Sequence, residues 1–222
     1  EYCKGFVEKG YKVCVQPNRV DQYSDEEFVN MLKLFSTISP MAIYVVDSWG
    51  TLYSDQVLHY MYLADSVLPK NIAVGYHGHN NLMQAFANAE RIISHKFERD
   101  IILDASVDGI GRGAGNLNLE LIAKYMNDQY GSNYSILPAL EIYDKYIQAL
   151  ESSEAWGYSM PLFLTASFNS NPSYGRRYSK YKVGTSMECR ILGKMTTEEK
   201  ALYSDELADQ KYTEFIEENR TN

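Results

Sequence analysis

Asn71-Ile72-Ala73-Val74-Gly75-Tyr76-His77-Gly78-His79-Asn80-Asn81 is the stretch from which the rest of the chain is read. Its apolar start predicts a strand that ends on polar residues. Side chains alternate faces along a strand, so His77 and His79 point the same way. Their Cβ atoms then lie roughly 7 Å apart, near enough for two imidazoles to reach one ion at about 2.1 Å. The chain has four histidines, and two of them form this His-x-His pair. The pair is a candidate metal site. The plainer reading is a polar strand end carrying two solvated rings.

Outward from that strand the pattern repeats. Lys12-Val13-Cys14-Val15-Gln16, Ala42-Ile43-Tyr44-Val45-Val46 and Ile101-Ile102-Leu103-Asp104-Ala105-Ser106-Val107 read as three further strands. Helix-like segments separate them. The first ends at Gly10, and the second starts at the N-cap Ser24 and carries Phe28, Met31, Leu32 and Phe35 at helical spacing. Ser54 opens another, apolar at Val57, Leu58, Met61 and Val67 and stopped by Pro69; Leu82 to Lys96 and Leu119 to Gln129 follow. Strand then helix, about every 30 residues, is the rhythm of a parallel sheet. Each strand is apolar until its C-terminal end, at Gln16/Asn18, Asp47/Ser48, His77/His79 and Asp104/Ser106. In a β/α barrel the active site is built on that face, but closure takes eight strands.

After about Gly131 the rhythm stops. Leu137 to Leu150 predicts an amphipathic helix, Ser153 to Met160 a turn region, Pro161 to Phe168 an apolar run, and Asn169 to Ser173 a loop. Thr196 and Ser204 are helix starts, and Glu214 to Asn222 reads as a frayed helix end.

The totals narrow the function. Apolar content of 45% and charged content of 23% suit a globular chain. A formal net charge of -8 argues against nucleic-acid and anionic-membrane partners, which need a basic surface. No apolar run reaches the length of a bilayer span, and no signal peptide is visible. Cys3, Cys14 and Cys189 are scattered and make neither a disulfide framework nor a Cys-x-x-Cys site, so a reducing cytoplasm is the expected location. The 19 tyrosines suggest wet aromatic surfaces without naming a chemistry.

If the four strands lie side by side, Asp47-Ser48, the two histidines and the glycine-rich run ending at Asn116 can share a pocket, since neighbouring strands are about 4.8 Å apart. Two neutral imidazoles leave a divalent ion most of its charge and open positions, which suits polarisation of a carbonyl. Ser48 is a candidate for a substrate carboxylate, or equally a turn cap. Asn116 is a candidate metal ligand or a helix cap. Gly109-Ile110-Gly111-Arg112-Gly113-Ala114 also satisfies a dinucleotide fingerprint, but that fingerprint belongs in the first βα turn of its domain, with a strand after the helix. An amidohydrolase-type site needs histidines on later strands, and His59 and His95 both fall in predicted helices. Asn80 and Asn81 exclude the His-x-His-x-Asp-His pattern of another hydrolase class.

Three ordered motifs then carry a resemblance. They are Tyr44-Val45-Val46-Asp47-Ser48-Trp49-Gly50, the run from Gly75 through Asn81 to Asn88, and Asp104-Ala105-Ser106-Val107-Asp108-Gly109 through Asn116. Together, over residues 12–121, they resemble the HMG-CoA lyase-like metal-dependent aldolases and synthases, most of all the 4-hydroxy-2-oxovalerate aldolase branch. Past Tyr130 the likeness fades. The resemblance implies a (β/α)8 TIM barrel that makes or breaks a C–C bond beside a 2-oxo acid or thioester enolate. It implies His77 and His79 as metal ligands, Asn116 as a ligand or support, and Ser48 as a contact to the substrate carboxylate. Mn2+ or Mg2+ ranks ahead of Zn2+. Tyr158, in Gly157-Tyr158, matches weakly a tyrosine segment that reaches the site in the aldolases.

The family's first strand carries an Arg-Asp-Gly or Arg-Glu motif that supplies a third metal ligand and a carboxylate-binding arginine. Nothing here matches it; Arg99-Asp100 stands before the last strand, at the wrong end of its connection. The expectation is therefore an α/β chain with two parts. Residues 1–130 form the second half of the barrel, strands five to eight, and residues 131–222 form a mostly helical C-terminal region. Its enzyme is a lyase acting on a small 2-oxo acid, inactive without the other half-barrel. Its exposed sheet edges predict a homo-oligomer or pairing with that half. The alternative is a non-catalytic binding or assembly subunit that keeps a half-barrel.

Overall fold

The computed structural model describes residues 2–151 and 156–220. Helix α1 (Tyr2–Glu8) ends at Gly10, whose φ of 85° is open to glycine without cost. Strands β1 (Cys14–Val15), β2 (Ala42–Asp47), β3 (Ala73–Gly78) and β4 (Ile101–Leu103) form one sheet in the order β1-β2-β3-β4. All three pairings are parallel. Helices α2 (Asp25–Ser36), α3 (Ser54–Val67) and α4 (Ala85–Ile93) make the crossovers, and α5 (Leu119–Tyr130) follows the last strand. β1 and β4 each have a neighbour on one side only.

Local chemistry fixes these elements. Ser24 and Glu27 form a reciprocal capping box at the start of α2, satisfying two backbone donors. Phe28 and Leu32 on α2, and Val57, Leu58, Met61 and Ala64 on α3, turn inward at helical spacing. They pack with Ile43, Val45, Val74 and Tyr76 on one face of the sheet. The opposite face carries Ala42, Tyr44 and Val46, packed with Cys14, Ala73 and Ile102. Alternation along β3 therefore places Gly75, His77 and His79 on this second face.

Arg99, excluded from the site by position, has a structural task. Its guanidinium is almost completely buried and donates to Asp65 Oδ1 and to the carbonyls of Asp65, Leu68, Pro69 and Ile72. It closes the C-terminal end of α3, where carbonyls otherwise lack partners.

Three boundaries differ from the sequence reading. β4 stops at Leu103: Asp104 N still donates to Tyr76 O, but Ser106 then pairs with the returning chain at Leu117 and Asn118. Helix α4 starts at Ala85 rather than Leu82, because Met83 takes a φ of 57° and Asn80 Oδ1 accepts from Ala85 N. His95 consequently lies just past α4, whereas His59 is within α3.

Beyond Gly131 the elements among the described residues are helices joined by loops. α6 (Leu137–Ile142) continues through a π-helical stretch, Tyr143–Ile147, into α7 (Gln148–Glu151), within the predicted amphipathic helix. Residues 153–155 of the predicted turn, with residue 152 before them, lie outside the described residues. The apolar run from Pro161 is α8 (Met160–Ser167). α9 (Ser173–Lys180) and α10 (Thr185–Lys194) are not apparent from the sequence, because α9 buries Tyr174, Gly175 and Tyr178 and α10 buries Glu188 beside Ile191 and Leu192, which makes no continuous aliphatic stripe. α11 (Thr197–Ala201) and α12 (Asp205–Arg220) begin at the predicted caps. Tyr174, Tyr178, Ile191, Leu192, Met195, Ala208 and Phe215 form this region's own core. Among the described residues no helix is long and apolar enough to cross a membrane.

Candidate metal centre

The two histidines stand as the strand spacing predicts, with ring centroids 5.0 Å apart and planes at 75°. What matters chemically is which nitrogens remain available. His79 Nδ1 lies 2.9 Å from the carbonyl oxygen of Asp47. A carbonyl only accepts, so Nδ1 carries the proton and Nε2 keeps its lone pair. His77 Nδ1 lies 3.1 Å from Asp104 Oδ2. Against a carboxylate, Nδ1 is again the donor and Nε2 is left as the acceptor. Burial, with nearby His77 and Arg112, pushes the His79 imidazole below its ordinary value despite the bond to Asp47, favouring the neutral ring that a metal requires.

Asp47 holds this corner of the site. Its carboxylate is buried and accepts from the amides of Thr51 and Leu52 at 2.9 and 3.1 Å, fixing the loop between β2 and α3. Burial outweighs those bonds and pushes the carboxyl up to about 7. Trp49 O and Ala114 N, from loops after β2 and β4, both bond to the buried Asn81 side chain. The glycine-rich loop is drawn in this way against the end of β3.

That loop delivers Asn116. Asp108, Gly109, Gly113 and Gly115 all have positive φ, and the chain turns so that Asn116 forms an antiparallel bridge with His79. A side chain at Gly111 would meet Asn116 Nδ2 at 2.5 Å, so the loop must be bare there. Asn116 Nδ2 donates to Ile110 O, while Oδ1 is buried with no partner among the described residues. An orphaned carbonyl oxygen inside a protein is costly unless something polar meets it. Asn116 and His77 line one cavity of about 320 Å³ together with Asp104, Leu103 and Ala105. Two imidazole Nε2 atoms and one amide oxygen form a donor set that fits a hard or borderline divalent cation. Among the described residues no group of three or more His, Cys, Asp and Glu side chains stands together to hold a metal.

Ser48 and Tyr158 do not join this cluster by any bond. Ser48 Oγ accepts the backbone amide of Arg19 at 2.8 Å, a bond to the loop after β1 and not a cap on its own turn. The Arg19 guanidinium stacks on Trp49, 3.2 Å from the ring centroid, and pairs with Asp21 and Asn169. Tyr158 is half exposed and meets Met160 and Phe163 in the helical region. Sequence reasoning noted Asp104 as a polar strand end but gave it no role. Its link to His77 depends on the β3–β4 register, which no local pattern encodes.

The HMGL-like family model matches residues 2–144, well over half of the chain. The chain belongs to the HMGL-like family. The 4-hydroxy-2-oxovalerate aldolase of Marinomonas sp. (strain MWYL1) is 35% identical over 104 residues, which is 47% of this chain and 30% of the relative. The enzyme of the same name from Bacillus thuringiensis (strain Al Hakam) is 36% identical over 115 residues, 52% of this chain and 32% of the relative. This member thus spans about a third of the length of these curated relatives. Among solved structures, the N-terminal domain of an aldolase candidate from Bacteroides vulgatus matches 81% of the chain and 58% of that domain, with a TM-score of 0.71 and 25% identity. The carboxyl transferase domain of Rhizobium etli pyruvate carboxylase matches 98% of the chain and 39% of that domain at TM-score 0.63 and 11% identity, a likeness of fold alone.

Proposed function

We propose that this HMGL-like chain carries the metal-binding half of an aldolase-type active site, as strands five to eight of a (β/α)8 barrel with a helical C-terminal region. One observation supports it most: both histidines spend Nδ1 inside the protein and keep Nε2 for a ligand, beside the orphaned Asn116 Oδ1. His77, His79 and Asn116 would hold Mn2+, Mg2+ or Zn2+, the first two metals preferred because an amide oxygen is a hard donor. When bound, such a cation supplies positive charge to an enolate developing on a 2-oxo acid.

The chain's own residues do the rest. The Asp47 carbonyl and the Asp104 carboxylate each accept from Nδ1–H, which sets the tautomer of the two rings and aims Nε2 outward. The glycine-rich loop brings Asn116 up to His79 and covers the strand ends. Ser48, whose oxygen accepts from Arg19 N, still has its hydroxyl proton to offer a substrate carboxylate. A third, carboxylate ligand and a carboxylate-binding arginine come from outside these four strands. Retro-aldol cleavage accordingly needs the complementary half-barrel or another chain against the open edges of β1 and β4.

Uptake of Mn2+, Mg2+ and Zn2+ by calorimetry tests the site. Binding by the intact protein that is lost in His77→Ala is the expected result; equal uptake by wild type and variant refutes it. Release of pyruvate from a 4-hydroxy-2-oxo acid tests the reaction.

A further inference from the structure

Asp104 belongs to a bonded network that draws on all four strands. Tyr44, on β2, is the register partner of Gly75 on β3. A Cβ at Gly75 would fall 2.4 Å from the Tyr44 ring, so the ring lies directly across that bare position. Its hydroxyl thereby passes over β3 and donates to Asp104 Oδ1 at 2.9 Å. Gln16, just past β1, donates from Nε2 to Asp104 Oδ2 at 2.8 Å. The same Oδ2 accepts from His77 Nδ1. The carboxylate is thus held by three donors from three other strands or strand ends. It can neither swing away from His77 nor turn toward an ion without breaking a bond to Tyr44 or Gln16.

We infer that Asp104 is a positioning residue. Clamped by Tyr44 and Gln16, it fixes the Nδ1–H tautomer of His77 and aims Nε2 at the metal. This rests on the metal reading of His77 and His79. It adds that Tyr44, Gly75 and Gln16, none of which is among the proposed donors to the ion, set the quality of the site. A partner that orients a ligating histidine is worth about 10–100-fold in metal affinity. A carboxylate does this better than a neutral acceptor because its bond to the ring is charge-assisted.

The test pairs Mn2+ calorimetry with 15N spectra of the imidazoles in the metal-free intact protein, on variants whose circular dichroism matches wild type. Asp104→Ala should weaken Mn2+ binding about 10–100-fold and turn His77 into a mixture of tautomers, with His79 unchanged. Asp104→Asn, which keeps an acceptor, should recover part of both. Tyr44→Phe, which loosens the clamp but leaves the carboxylate, should lose less than Asp104→Ala. If Asp104→Ala does not fold, the Asn and Phe variants carry the same comparison. Unchanged affinity and an unchanged His77 tautomer in the Asp104 variants overturn the inference. If His77→Ala binds Mn2+ like wild type, the metal reading fails instead, and the tautomer spectra still decide whether Asp104 orients the ring.

Discussion

Glu188 gives the most quantitative prediction. It sits on the inward side of α10 with no surface exposed, and neither carboxylate oxygen has a hydrogen-bond partner among the described residues. Burial alone raises its carboxyl from 4.5 to about 8. In the unfolded chain the group titrates at its ordinary value. Between those two values the native state holds a proton that the unfolded chain has released, so stability falls as pH rises and levels off above about 8. At about 1.36 kcal/mol per pH unit, the loss between about pH 4.5 and about pH 7 is on the order of 3 kcal/mol. Glu188→Gln keeps the size and removes the titrating proton. Urea unfolding of both proteins, stepped from about pH 5 to about pH 8, isolates this residue, because every other titrating group is common to the pair. The variant's relative stability should climb by about 3 kcal/mol toward neutrality. Curves that stay parallel within about 0.5 kcal/mol would mean that Glu188 ionises normally in the fold, and the reasoning would be wrong.

Two further outcomes are expected. Arg99→Met leaves the Asp65 carboxylate with the Glu98 amide but no cation, removes the side-chain donor to the carbonyls of Asp65, Leu68, Pro69 and Ile72, and should cost about 3–5 kcal/mol by urea unfolding; Arg99→Lys should recover only a minor part, since an ammonium lacks the planar fork. A loss below about 1 kcal/mol would remove Arg99 from the list of fold determinants. Gly111→Ala puts a methyl group 2.5 Å from Asn116 Nδ2 and must displace that side chain. Mn2+ affinity should fall while the unfolding midpoint moves less than for Arg99→Met; unchanged affinity would place Asn116 outside the metal shell.

Much of the sheet and part of the site were legible in the sequence. A parallel strand buried on both faces reads as an unbroken apolar run, and its polar C-terminal end marks the functional side, so β2, β3 and the histidines stood out. Asn116 stood out as the end of a glycine-rich run, with a helix cap as its plainer use and the metal role supplied by the resemblance. Asp104 was not, because its meaning comes from the residues opposite it on three other strands. Ser48 was legible only as a polar strand end: its bond is to Arg19, 29 positions away, where the local reading expected a cap or a substrate contact. Helices α9 and α10 escaped because α9 buries tyrosines, with Tyr174 bonded to the carbonyls of Glu199 and Leu202, and α10 sets a buried glutamate beside Ile191 and Leu192, so neither shows a continuous apolar stripe.

The crossing of Tyr44 over Gly75 also bears on transplantation. A His-x-His strand can be copied into another parallel sheet, but the copy works only where the neighbouring strand sets an aromatic hydroxyl beside a residue with no side chain. In this family member the histidine pair and the bare residue two positions before it go together: a side chain at Gly75 would meet the Tyr44 ring at 2.4 Å, and on the proposed reading of the site its displacement would free the carboxylate that orients His77.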